Sequence, residues 1–115
     1  MSYKFLPVII FGDKDLAELA HFYLQNDSEY TVVGFTLNKE FIKEDRFNGG
    51  KVVAFEELEK HFPPADYLLF APIADNILRT KIYNEGKEKG YRFISYISSE
   101  CTNFAKSIGE NCFIL

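Results

Sequence analysis

The stretch Leu6-Pro7-Val8-Ile9-Ile10-Phe11-Gly12 decides the fold, because six apolar residues run unbroken into a glycine. A strand with one wet face alternates apolar and polar residues; a continuous apolar run rich in β-branched side chains suits a strand covered on both faces, as in a parallel sheet. Working outward, Leu16, Leu19, Ala20 and Tyr23 recur at helical spacing, and Asp13 or Asp15 is placed to cap that helix, which is expected to end near Gln25. Polar Asn26-Asp27-Ser28-Glu29 makes a turn, and residues 30–37 read as a second strand, with Gly34 inside it marking a close backbone approach.

Residues 38–50 are charged and weakly periodic, the pattern of a functional or mobile loop, and Asn48-Gly49-Gly50 is a turn signal. Val52-Val53 reads as a short third strand, residues 55–62 as a brief amphipathic helix stopped by Pro63-Pro64, and Tyr67-Leu68-Leu69-Phe70-Ala71 as a fourth, buried strand. Asp75 is expected to cap a third helix in which Ile77, Leu78, Ile82 and Tyr83 share a side, with Lys87 and Lys89 at its negative end before Gly90. Residues 92–97 read as a fifth strand. Alternating strands and helices with right-handed crossovers imply an α/β, Rossmann-like parallel sheet of order 3-2-1-4-5 with helices on both faces.

The totals narrow the function. At 115 residues the chain has the size of one domain. Thirteen basic against 17 acidic residues give a net charge of -4 without a basic run, so nucleic acid is not an expected partner. The apolar stretch 5–11 is too short to span a bilayer or to serve as a secretory h-region, so no membrane is expected and the localisation expected is cytoplasmic. Cys101 and Cys112 belong to no Cys-x-x-Cys or Cys/His cluster, which points to reduced packing residues and no metal.

The end of the chain breaks the α/β pattern. Ile108-Gly109-Glu110-Asn111-Cys112-Phe113 is followed by Ile114 at six-residue spacing, with a small side chain four positions after the first aliphatic. That is the signature of a left-handed parallel β-helix, in which aliphatic and small residues point into a narrow prism.

Together with Ile9-Ile10-Phe11-Gly12, Val33-Gly34-Phe35, Asn48-Gly49-Gly50-Lys51-Val52-Val53 before Glu57-Leu58, and Asp75-Asn76-Ile77-Leu78-Arg79-Thr80-Lys81-Ile82, this ending resembles the N-terminal part of the hexapeptide-repeat sugar O- and N-acyltransferases of the sialic acid O-acetyltransferase and bacillosamine N-acetyltransferase type. The resemblance implies a nucleotide-sugar-binding domain over residues 1–100 and the first coil of a truncated left-handed β-helix over 101–115. It also implies a parent acetyltransferase of surface-glycan or nucleotide-sugar biosynthesis, trimeric, with acetyl-CoA bound outside this chain and the catalytic histidine in the missing β-helix. The partner it implies for this chain is a nucleotide-activated sugar. With Phe104, Ile108, Phe113 and Ile114 lacking their usual cover, the isolated chain is not expected to form the trimer.

Ligands of open α/β sheets lie across the carboxyl ends of the strands, so Gly12, Asp13, Lys14, Asn38, Ile73 and Asn76 are the expected substrate-binding residues, gathered in one cleft. A Gly12→Val substitution is expected to fill ligand space without unfolding the sheet. The turn Gly12-Asp13-Lys14-Asp15-Leu16-Ala17 keeps only the first glycine of a dinucleotide fingerprint. Two other readings stand beside the first: a non-catalytic Rossmann-like regulatory module binding a dinucleotide or CoA, and a domain that only orients a trimer. Arg79 and Lys81 read as solvated helix surface, and neither His21 nor His61 has a partner at the spacing of a catalytic triad.

Overall fold

The computed structural model describes residues 6–97, 111 and 113–114. Its strands are β1 (Leu6–Phe11), β2 (Tyr30–Leu37), β3 (Arg46–Phe47), β4 (Gly50–Ala54), β5 (Leu68–Phe70), β6 (Arg92–Phe93), β7 (Tyr96–Ile97) and β8 (Phe113–Ile114). The α-helices are α1 (Asp15–Asn26), α2 (Leu58–His61) and α3 (Asn76–Glu88). Six strands form one sheet in the order β3-β4-β2-β1-β5-β6, and β7 pairs with β8 in a second, two-stranded one. Every pairing in the large sheet is parallel except β3 with β4. Without β3, the order is the 3-2-1-4-5 arrangement expected from the sequence.

The unbroken apolar run of β1 has its cause in two cores. Val8 and Ile10 point to the face covered by Ala17, Ala20 and Leu24 of α1. Ile9 and Phe11 point to the other, where Phe55, Leu58 of α2, Ile82 of α3 and Tyr91 pack. Successive side chains of a strand alternate faces, so a strand sandwiched between helices is apolar at every position. Val33 is skipped in the register between β1 and β2, which passes from Val8↔Val32 to Ile9↔Gly34. A Cβ on Gly34 would lie 3.0 Å from the ring of Phe62, so the bare backbone there lets α2's last turn settle on the sheet.

Several expectations are corrected. Asn48 and Gly49 both have positive φ, 49° and 80°, and close a two-residue hairpin between β3 and β4 inside the segment read as a charged loop. The fifth strand is broken: the Ile94 N–H donates to the Leu69 carbonyl, 3.1 Å, and the chain then leaves the large sheet to form β7. Neither Asp13 nor Asp15 is the N-cap of α1; that position is Lys14, which makes no side-chain capping bond. Asp75 does cap α3, its Oδ1 accepting from Ile77 N at 2.9 Å and Leu78 N at 3.4 Å. Ile77, however, is 84% exposed and does not share the buried side of Ile82. The β-helix ending is not shown: most of 101–115 lies outside the described residues, and β8 pairs in parallel with β7. Among the described residues no helix is long and apolar enough to cross a membrane.

Candidate functional site

The chain leaves β1 in one lateral direction to reach β2 and later returns to place β5 on β1's other side. This reversal opens a crevice at the carboxyl ends of the strands, where α/β sheets bind ligands. A cleft of about 500 Å³ lies there, bordered by Gly12, Asp13 and Lys14 after β1, by Asn38 after β2, and by Pro72, Ile73 and Ala74 after β5. Five of the six expected site residues thus share one cleft, while Asn76 is not among those lining it.

Gly12 makes the turn out of β1 at φ +133°, a conformation that L side chains rarely adopt. Its N–H is committed to the Thr36 carbonyl, 2.9 Å, and a Cβ on it would meet the Ala17 Cβ at 3.2 Å. The turn therefore lets α1 pack close to the end of β1. With Lys14 at the N-cap, whose ammonium has no acceptor, the first-turn N–H groups of α1 are left for solvent or for a ligand's acceptor. Leu16 and Ala17 of that turn line the cleft. Asp15 and Glu18 oppose an anion there, while Lys14 and Lys43 at the cleft favour one.

Asn38 is held from the side. Its Nδ2 donates to Glu56 Oε2 at 3.2 Å, and the neighbouring Lys39 N–H donates to Glu56 Oε1 at 2.9 Å, which leaves Asn38 Oδ1 as the group it can offer. Desolvation alone would push the Glu56 carboxyl up, but the bonds from Lys39, its own N–H and Asn38 outweigh it, and the pKa falls below the ordinary carboxylate value. Glu56 is thus an anion that fixes the backbone just beyond β2.

The far wall comes from residues the sequence did not single out for the site. Phe41, 61% exposed, and Lys43 follow β2, and Leu78 comes from the first turn of α3; all three border the cleft. A large ring left in water in a charged segment was the available signal. No His, Cys, Ser or Thr is among the described residues lining the cleft. His21 sits elsewhere, edge-on to Phe35 and 3.4 Å from Asn48 Nδ2, its pKa lowered by burial. His61 is exposed at the end of α2. Arg79 faces a separate hollow of about 180 Å³ with Thr80, Tyr83 and Asn111. Among the described residues no group of three or more His, Cys, Asp or Glu is placed to hold a metal ion.

No family profile and no curated protein matches the chain. Among solved structures it is similar to RSP, a Rex-family repressor, at 12% identity and TM-score 0.62. It is also similar to RSP in complex with beta-NADH, at 14% identity and TM-score 0.59. Each match covers 96% of this chain and 52% of the other, so the chain spans about half the length of these neighbours. At such identity the likeness is one of fold. It overturns the acyltransferase resemblance, and acetyl-CoA, hexapeptide-repeat chemistry and glycan biosynthesis go with it, because the neighbours are a repressor and its NADH complex. The physical reason lies in what the resemblance rested on. The quoted stretches build β1 and its turn, the middle of β2, the β3–β4 hairpin and the capped start of α3, which are fold-making tasks shared by many α/β domains. With repressors as fold neighbours, the exclusion of nucleic acid drawn from charge is confined to these 115 residues and does not extend to a longer protein carrying such a domain.

Proposed function

We propose that this chain is a non-catalytic, Rossmann-like module that binds a dinucleotide in the cleft at the ends of β1, β2 and β5 and serves a regulatory protein as its ligand-sensing part. The observation that carries the reading is the placement of the 500 Å³ cleft at the switch point, with Gly12 in its positive-φ turn and an uncapped helix start beside it. The fold neighbour in complex with beta-NADH supports the ligand class. Binding is favoured over chemistry because the described lining offers carboxylates, lysines and an amide but no hydroxyl, thiol or imidazole.

The residues fit the group in an altered form. In the fingerprint G-x-G-x-x-G/A, the first position is Gly12 and the last is Ala17, but the second glycine is replaced by Lys14. Close backbone approach to a pyrophosphate is thereby reduced, and the Lys14 ammonium supplies attraction in its place. Beyond β2, Asn38 stands where a ribose-binding acid is common, and its Oδ1 can accept a hydrogen bond from a hydroxyl without repelling a phosphate. When bound, NADH would bring its redox state as the signal; the residues described here bind and orient it. Calorimetry with NADH and NAD⁺, with ADP as a half-ligand, tests the reading. Saturable binding of NADH or NAD⁺, stronger than that of ADP, is expected, and no binding of either dinucleotide overturns it.

A further inference from the structure

Asn111 lies 40 residues from Ala71 in sequence, yet its side chain grips that residue from both sides. Its Oδ1 accepts from the Ala71 N–H at 2.7 Å and its Nδ2 donates to the Ala71 carbonyl at 2.8 Å. Both residues are buried, Ala71 fully and Asn111 to within 5% exposure. Among the described residues the sheet supplies no partner at this point: β1 pairs with β5 only as far as Phe70, and β6 only as far as Leu69. The amide of Asn111 therefore stands in for the next rung of the ladder, and losing it would strand the buried Ala71 N–H and take one of two donors from the Ala71 carbonyl.

What Ala71 begins gives the contact its consequence. The Ala71 carbonyl also accepts from Ile73 N–H at 2.9 Å, folding Ala71, Pro72 and Ile73 into a tight bend whose Pro72 and Ile73, with Ala74 after them, form the β5 wall of the cleft. On the other side, Asn111 sits two residues before β8, whose Phe113 and Ile114 pair with Tyr96 and Ile97 of β7. One buried amide thus joins the ligand wall to the C-terminal strand pair.

We infer that Asn111 is a positioning residue that couples occupancy of the cleft to the placement of β8. The inference rests on the ligand reading above. Coupling of this kind is reciprocal: a wall held by Asn111 binds ligand better, and a bound ligand holds Asn111 better.

Amide hydrogen exchange on the whole 115-residue chain, with and without saturating NADH, tests it without any mutation. Slower exchange at Ala71 and Ile73 together with Phe113 and Ile114 is expected; protection at the wall with β8 unchanged overturns the coupling. Asn111→Asp, which keeps the acceptor but sets a carboxylate against the Ala71 carbonyl, is expected to weaken NADH binding about tenfold. Leu24→Ala, a core truncation on α1 away from the cleft, is expected to lower stability with the NADH affinity unchanged. Equal affinity losses in both variants mean that Asn111 acts only through stability, and the inference falls. If NADH does not bind the unsubstituted chain, the ligand reading fails by itself. The clamp is then read from unliganded exchange, where faster exchange at Ala71 in Asn111→Asp supports it and an unchanged rate overturns it.

Discussion

The phenol of Tyr91 donates a hydrogen bond to the main-chain carbonyl of Phe62, tying the turn after α3 to the end of α2. Tyr91 is 1% exposed, as is Phe55 on the same face of the sheet, and it follows Gly90, whose φ of +99° ends the helix. Beside it Lys89 pairs with Glu59 at 3.0 Å, so the same corner holds a hydrogen bond and an ion pair. This corner anchors α2 and α3 over the face of the sheet opposite α1.

A pH dependence follows. Burial, and then the negative charge of Glu59, push the Tyr91 pKa well above its ordinary value of 10.0. The folded chain therefore holds the neutral phenol while the unfolded chain ionises near its ordinary pKa. This contribution to stability is complete below about pH 10 and is lost as pH rises from there toward the folded pKa. Urea midpoints measured from pH 8 to 11 are expected to fall more steeply for the natural chain than for Tyr91→Phe. At neutral pH the substitution costs about 1 kcal/mol by leaving the Phe62 carbonyl without its donor.

Where the sequence was legible, each reading had a local physical cause. Buried strands β1 and β5 announced themselves because helices on both faces demand apolar residues at every position. Asp75 announced α3 because its carboxylate is the acceptor that the first turn needs. The β3–β4 hairpin was written as Asn48-Gly49, the strongest two-residue signal, but lay within a charged segment that hid the short strands around it. The break after Phe93 was not legible, since the bond from Ile94 to Leu69 joins residues distant in sequence. In the cleft, switch-point logic reaches Gly12, Lys14, Asn38 and Ile73 because they follow strand ends; Phe41 and Lys43 stay hidden because no periodicity fixes where a loop side chain points.

The two acidic starts of helices separate by measurement. Asp75→Ala removes a cap that accepts from Ile77 and Leu78 and is expected to cost about 1 kcal/mol. Asp13→Ala removes no cap from α1 and is expected to change stability by less than about 0.5 kcal/mol. Thermal melts of the two variants check the contrast, and equal losses would contradict the Lys14 N-cap.

Gly12 is a packing residue as well as a cleft residue, which corrects the expectation that Gly12→Val spares the fold. Even Gly12→Ala places a Cβ at φ +133° and 3.2 Å from that of Ala17. A loss of about 1–3 kcal/mol is expected from the backbone conformation alone. Melting and NADH affinity should fall together; unchanged melting with lost affinity would show that the turn relaxes and that Gly12 serves the ligand only.

Lys14 gives the sharpest test of how an anion is held. It occupies the position of the fingerprint's second glycine, at the start of a helix whose first turn also carries Asp15 and Glu18. The helix dipole and free N–H groups attract a phosphate, the two carboxylates repel it, and the lysine decides the balance. Lys14→Glu reverses that charge and is expected to weaken NADH binding about tenfold or more, because about 1.4 kcal/mol of attraction is lost for each tenfold. Lys14→Gly restores the backbone approach of the fingerprint while removing the charge, so its affinity should fall less at high salt than at low salt. Screening removes the lysine's contribution at high ionic strength but leaves the backbone contacts. Calorimetric titrations of NADH into the natural chain and both variants, at about 50 mM and about 500 mM salt, read the two contributions separately. A natural chain whose affinity does not change with salt would show that Lys14 takes no part in holding the diphosphate.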